Sequence, residues 1–184
     1  MPSGRPPVKF TYAEYLTLPV GSRHQLIEGD LVMSPAPTRR HQTVVKRLFR
    51  VLDGFVNSRR MGEVYFSPID VILSDEDVTQ PDIVYISKGR AGLLAPEGVR
   101  GGPDLCVEVL SDRTEALDRG AKRVLYARHG VTEYWIVDPE GNTLDVYRLQ
   151  EDAKASARRL LPADMLTTEL LPGFSAPLAD VFAL

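Results

Sequence analysis

Asp82, Glu108 and Lys122 are the residues of this sequence whose types and surroundings suit metal-assisted chemistry. Glu108 lies inside the run Leu105-Cys106-Val107-Glu108-Val109-Leu110, where an unpaired ionised carboxylate is costly to bury and tends to take up a proton. Something has to compensate it. A divalent cation such as Mg²⁺ does so well, because it prefers oxygen ligands, keeps several waters and takes one or two protein carboxylates beside a substrate phosphate. A buried ion pair with an arginine such as Arg123 would serve as well, and the residues alone leave both readings open. In a strand, residues 104, 106, 108 and 110 share one face and Leu105, Val107 and Val109 the other. If a strand beginning at Asp82 pairs with this one, the two acids meet at a common edge, where a metal would sit. Lys122 follows Asp118 by four residues, the spacing of a surface ion pair on a helix, with Tyr126 a turn further on. Its helix starts directly after the Glu108 strand, however, so an inward-facing lysine would reach a metal-bound water.

The elements that must position these groups are legible to different degrees. Thr11-Tyr12-Ala13-Glu14 reads as a capping box opening a helix that ends near Pro19 to Gly21. His24 to Glu28 and Leu31 to Met33 flank Gly29-Asp30 and predict a hairpin. From Thr38 to Val56, apolar residues recur at helical spacing, at Val44, Val45, Leu48, Val51, Leu52, Phe55 and Val56. The opposite face of that helix carries Arg39, Arg40, Lys46, Arg47 and Arg50, a stripe suited to a phosphate backbone or simply to solvent. Short β-prone runs follow at residues 63–66, 69–73 and 82–86, then a mostly looped Ser87 to Gly102 with one turn of helix near Leu93-Leu94. Asp104 to Leu110 has the apolar density of a central strand. Leu117, Ala121, Val124 and Leu125 predict a helix closed by Gly130, and residues 133–137 and 143–149 a hairpin across Pro139 to Asn142. The tail predicts a strand pair near Arg158 to Leu161 and Leu166 to Leu170, and a terminal helical turn over Leu178 to Phe182.

Composition bounds the possibilities. At 184 residues, 43% apolar and 26% charged, the chain suits one folded domain over 11–184 behind a loose, proline-rich arm at 1–10. No stretch approaches the ~20 apolar residues of a membrane helix, and the start lacks a signal-peptide core, so a cytoplasmic location is expected. Cys106 alone excludes an intrachain disulfide or a multi-thiolate zinc site. The net charge of −3 argues against coating nucleic acid by bulk electrostatics, though not against a local basic patch. Five of the 22 basic residues are lysines, an arginine bias that fits a GC-rich genome or bidentate phosphate contacts.

Several stretches together resemble a known family: Gln80 to Ile83, Gly102 to Ser111, Asp118 and Lys122 with Tyr126-Ala127, Gly130 to Pro139, and Leu26 to Pro37 followed by His41-Gln42. It is the bacterial restriction-endonuclease-like family, abundant in cyanobacteria, within the PD-(D/E)XK nuclease superfamily. The runs Glu133 to Asp138 and Val107 to Ser111 are its most specific parts here. The resemblance implies an α/β fold, a mixed β-sheet flanked by helices with additional β-hairpins. It implies DNA as substrate and Mg²⁺, or Mn²⁺ in its place, held by Asp82 as motif aspartate, Glu108 as the acid of the triplet and the Val109 carbonyl. Glu28 would be an extra acid from an N-terminal element; with DNA as substrate, the helix-face residues Arg39, Arg40, Lys46 and Arg50 are the expected nucleic-acid contacts. By analogy the protein is a homo-oligomer. One departure matters: the triplet lysine falls on Leu110, and Lys122 is the matching candidate on the next helix. That departure keeps alive a catalytically inactive binding or assembly module, beside a hydrolase of small phosphodiesters. His41 fits the family pattern, with a structural hydrogen bond as its expected role.

Overall fold

The computed structural model describes residues 8–19, 21–111, 113–151 and 158–183. The Thr11 capping box forms as expected, with the Glu14 carboxylate accepting the Thr11 N–H at 2.8 Å, but helix α1 spans only Tyr12–Tyr15. The Thr17 hydroxyl donates to the Glu14 carbonyl, and tight i to i+3 bonds replace the next helical turn. Ahead of it, residues 1–7 of the expected arm lie outside the described residues, while Phe10 donates its N–H to Gly29. Strands β1 (His24–Ile27) and β2 (Asp30–Met33) make the predicted hairpin; Glu28 and Gly29 both have positive φ, 49° and 79°, which suits the tight turn between twisted strands. Helix α2 (Arg39–Arg59) buries Val44, Val45, Leu48, Leu52 and Val56, the face its periodicity predicted.

Strands β3 (Gly62–Phe66), β4 (Val71–Ile72), β5 (Val78–Thr79) and β6 (Ile83–Ser87) follow. The segment expected as loop holds a 3₁₀ turn at Lys88–Leu93 and a small hairpin, β7 (Leu94–Ala95) and β8 (Gly98–Arg100). Strand β8 pairs with β4, a non-local partner that local sequence does not reveal, and β7 pairs with β8. After β9 (Leu105–Val109), the chain runs through α3 (Glu115–Leu117), a π turn (Asp118–Lys122) and α4 (Arg123–Arg128) before β10 (Glu133–Asp138), which pairs parallel to β9. A parallel pair needs such a crossover. Strand β11 (Thr143–Arg148) closes the expected hairpin with β10.

The tail departs from expectation. Strand β12 (Arg158–Leu160) pairs with β11, while β13 (Met165–Leu166) pairs with β14 (Ala176–Pro177), so residues 158–161 and 166–170 do not pair with each other. Helix α5 (Leu178–Phe182) forms where predicted.

Two six-stranded sheets result, ordered β12-β11-β10-β9-β6-β3 and β2-β1-β5-β4-β8-β7. On one face of the first, α2 and α5 pack Leu48, Leu52 and Phe182 against Val107 and Trp135. On its other face, Cys106, Tyr134 and Ile136 meet Tyr126 of α4 and Val71 and Val99 of the second sheet. The fold is therefore the mixed, helix-flanked sheet with extra hairpins that the resemblance implied. No helix among the described residues is long and apolar enough to cross a membrane.

Candidate active site

Strand pairing brings the two acids together. Strand β6 runs antiparallel to β9 with Ile83 opposite Val107, so one further residue sets Asp82 opposite Glu108. Asp82 is fixed at both ends. Its carbonyl accepts the Ser67 N–H at 3.0 Å, and its Oδ2 accepts the Val109 N–H at 2.8 Å. His41, in the first turn of α2, sets Nε2 3.3 Å from the same Oδ2. Burial works against protonation of His41, but the Asp82 carboxylate and the Val109 carbonyl outweigh it and raise its pKa. His41 thus braces Asp82, in keeping with the structural role expected of it.

Glu108 is buried as the apolar run required, and its compensation is now explicit. Oε1 accepts from Lys122 Nζ at 2.9 Å and from the Tyr126 hydroxyl at 2.8 Å. Lys122 Nζ also lies 2.9 Å from Asp118 Oδ1, an electrostatic contact outside hydrogen-bond alignment. Asp118 and Lys122 are each 2% exposed, so the Asp-Lys pair is not the surface ion pair its spacing suggested. Nor is an arginine the partner of Glu108, since Arg123 stacks over the Tyr147 ring at 4.9 Å. Burial pushes the Glu108 carboxyl up to about 8 against the pull of Lys122, whereas the two carboxylates around Lys122 hold its ammonium charged despite burial.

The π turn over Asp118–Lys122 explains how a helix supplies this lysine. Its widened backbone adds a residue to the turn, and such insertions recur at functional sites. Both Asp118 and Lys122 then face inward, and the Tyr134 hydroxyl donates to the Asp118 carbonyl at 3.0 Å. Leu110, at the position of the missing triplet lysine, is buried in the apolar cluster with Tyr126 and Val131.

Asp82, Glu108, Lys122 and His41 line one cleft of about 770 Å³, walled on its far side by Tyr15, Gln25, Asp70 and Gln80. Asp70 Oδ1 accepts from Tyr15 and Gln80 at 3.0 and 2.8 Å, and Gln25 accepts the Gln80 N–H at 3.0 Å, so that wall is a rigid polar lattice. Other expected residues lie elsewhere. Glu28 occupies the β1–β2 turn, pairs with exposed Arg128 at 3.0 Å and does not line the cleft; the φ > 0 turn directs it away. Arg40 is engaged within the protein, donating to Pro139, Asn142, Phe182 and Ala183. Arg39, Lys46 and Arg50 are exposed on α2, outside the cleft lining.

Among the described residues, no three His, Cys, Asp or Glu side chains gather closely enough to hold a metal by themselves. The donors present fit a hard cation that needs fewer. Among the described residues, Asp82 Oδ1 and Glu108 Oε2 accept no hydrogen bond, and both side chains open on the cleft. Two carboxylates with room for water and phosphate suit Mg²⁺ or Mn²⁺ better than a closed four-ligand zinc site. Sequence reasoning missed Arg23, a cleft residue, and the tyrosine bond to Glu108. Tyr126, four residues after Lys122 on the predicted helix, was the available signal for the latter; nothing local marked Arg23.

A mixed sheet with an aspartate at the mouth of one strand, an acid within its neighbour and a lysine against that acid defines a nuclease-type fold of the PD-(D/E)XK kind. Over residues 12–179 the chain matches the Uma2 family, described as "Putative restriction endonuclease", and it belongs to that family. A crystal structure of "a putative nuclease belonging to DUF820 from Anabaena variabilis ATCC 29413" shares the fold, with TM-score 0.79, 21% identity, and coverage of 95% of this chain and 98% of that one. No curated protein matches significantly.

Proposed function

We propose that the chain is a metal-dependent endonuclease that hydrolyses DNA phosphodiester bonds. The observation that carries this reading is the convergence of Asp82, Glu108 and Lys122 on one cleft, with Lys122 Nζ 2.9 Å from Glu108 Oε1. Asp82, Glu108 and the Val109 carbonyl would hold Mg²⁺ or Mn²⁺, which when bound supplies a Lewis acid for the phosphoryl oxygen. Of the three donors on the Lys122 ammonium, one goes to Glu108 and a second faces Asp118 at ion-pair distance. The third is available to orient an attacking water and to offset negative charge growing on the phosphate. Asp118 keeps the ammonium in place and charged when Glu108 turns toward the ion. His41 and the Val109 N–H fix Asp82, so its free oxygen is preorganised.

The competing reading, a nuclease fold kept only for binding or assembly, draws on Leu110 at the usual lysine position. One experiment separates them. Purified protein is incubated with plasmid DNA and Mg²⁺ or Mn²⁺, beside Glu108→Ala, Asp82→Ala and an EDTA control. Metal-dependent nicking lost in both variants supports the nuclease, whereas undiminished cutting by either variant, or none by the wild type across substrates and metals, refutes it.

A further inference from the structure

We infer that Arg23 binds a second phosphate of the substrate, so that the cleft takes an oligonucleotide strand rather than an isolated phosphodiester. The inference rests on the nuclease reading above. Two side chains with a permanent positive charge line the cleft, Arg23 and Lys122. Lys122 sits at the catalytic centre between Glu108 and Asp118. The guanidinium of Arg23 makes no ion pair or hydrogen bond among the described residues, and the residue is exposed where it lines the cleft.

The acids of the cleft do not serve as its partner. Asp70 accepts from Tyr15 and Gln80, Glu97 pairs with Arg100, and Asp82 and Glu108 are engaged at the centre. An exposed guanidinium without an acceptor in the protein is free to take a phosphate, since its planar fork matches two phosphate oxygens. Its position is set firmly: the Arg23 carbonyl accepts the Ser34 N–H at 2.7 Å, tying its backbone to the strap that leads into α2. A polyanion entering a cleft lined by four carboxylates needs a fixed cation beyond the catalytic centre, and Arg23 is the one the lining offers.

The test is fluorescence anisotropy with a labelled single-stranded oligonucleotide in Ca²⁺, comparing wild type, Arg23→Ala and Arg23→Lys, with melting curves to show that each variant folds. Arg23→Ala should weaken binding roughly tenfold and lower the salt slope of log K by about 0.7, the value of one phosphate on a single strand. Arg23→Lys should restore the slope but not the full affinity, and a dinucleoside monophosphate, with its single phosphate, should bind wild type and Arg23→Ala alike. Unchanged affinity and slope in Arg23→Ala, an equal loss for the dinucleoside monophosphate, or no oligonucleotide binding by the wild type would each overturn the inference. The two readings fail separately: a protein that binds through Arg23 but never cuts loses the nuclease reading, and one that cuts with Arg23→Ala unimpaired loses this one.

Discussion

Replacing Lys122 by methionine tests the buried charge cluster most sharply. Methionine keeps much of the lysine stem but removes the ammonium that lies 2.9 Å from both Glu108 and Asp118. Two buried carboxylates then lose their shared counter-charge. Breaking a buried pair in this way costs about 3–5 kcal/mol, far more than the pair contributes net, because the remaining charge stays desolvated. Glu108 escapes part of the cost by holding a proton, since burial already pushes its carboxyl up to about 8. Asp118 carries the rest. For a chain of this size the loss corresponds to a fall in Tm of roughly 6–20 °C, at about 2–4 °C per kcal/mol. Thermal and urea unfolding at pH 7 would measure it. Adding Glu108→Gln to Lys122→Met should recover at least about 1 kcal/mol, the non-additivity expected of groups in one network. A Lys122→Met protein within about 1 kcal/mol of wild type would refute the argument that an ammonium compensates these acids.

Three further outcomes follow from the geometry. Asp145 is held below the usual carboxylate range: burial opposes this, but hydrogen bonds from Arg159 and Arg119 prevail. Its contribution is therefore fully present above the unfolded value, about 3.9, and lost as pH falls through the lowered folded one, so Asp145→Asn should flatten the acid limb of a Tm–pH profile, and an unchanged limb would count against the assignment. Arg40→Ala removes donors to Pro139, Asn142, Phe182 and Ala183 and should cost roughly 2–3 kcal/mol in urea unfolding while leaving oligonucleotide affinity within about twofold; a selective loss of binding would return Arg40 to the nucleic-acid contacts. Gly102→Ala would press a Cβ onto the His129 carbonyl where α4 ends, and should destabilise by about 1–3 kcal/mol; a Tm equal to wild type would show that the chain relaxes there freely.

What the sequence revealed tracks how local the cause was. Helix α2, the β1–β2 and β10–β11 hairpins and the apolar β9 were legible because periodicity and turn residues act over a few positions. The short strands β5, β7 and β8 were not, since they exist through pairing with β1, with β4 or with one another. Asp82 facing Glu108 was readable once their strands were allowed to pair, and the burial of Glu108 followed from its neighbours. The burial of Lys122 was obscured because Asp and Lys four apart look the same on a wet face and a dry one, and the π turn that rotates them inward has no local signature here. Arg40 misled for a similar reason: its acceptors lie about a hundred or more residues away, on Pro139, Asn142, Phe182 and Ala183.

The cleft has walls of separate origin: the sheet built around β9 and β10 carries the charged centre, while Tyr15, Arg23, Gln25 and Asp70 belong to the sheet of β1 and β4 or the segments leading into it. Such a division makes the far wall a replaceable part. Exchanging the β1–β2 hairpin and its strap for those of a relative would change what the groove accepts without disturbing the groups at its centre. The constraint on such a graft is local, because Gln80 bonds to Gln25 and stands two residues before Asp82, so any transplanted wall must bring an acceptor for that N–H. Divergence among relatives can then run along one sheet while the other stays fixed, and a library confined to the hairpin would explore recognition at little risk to folding.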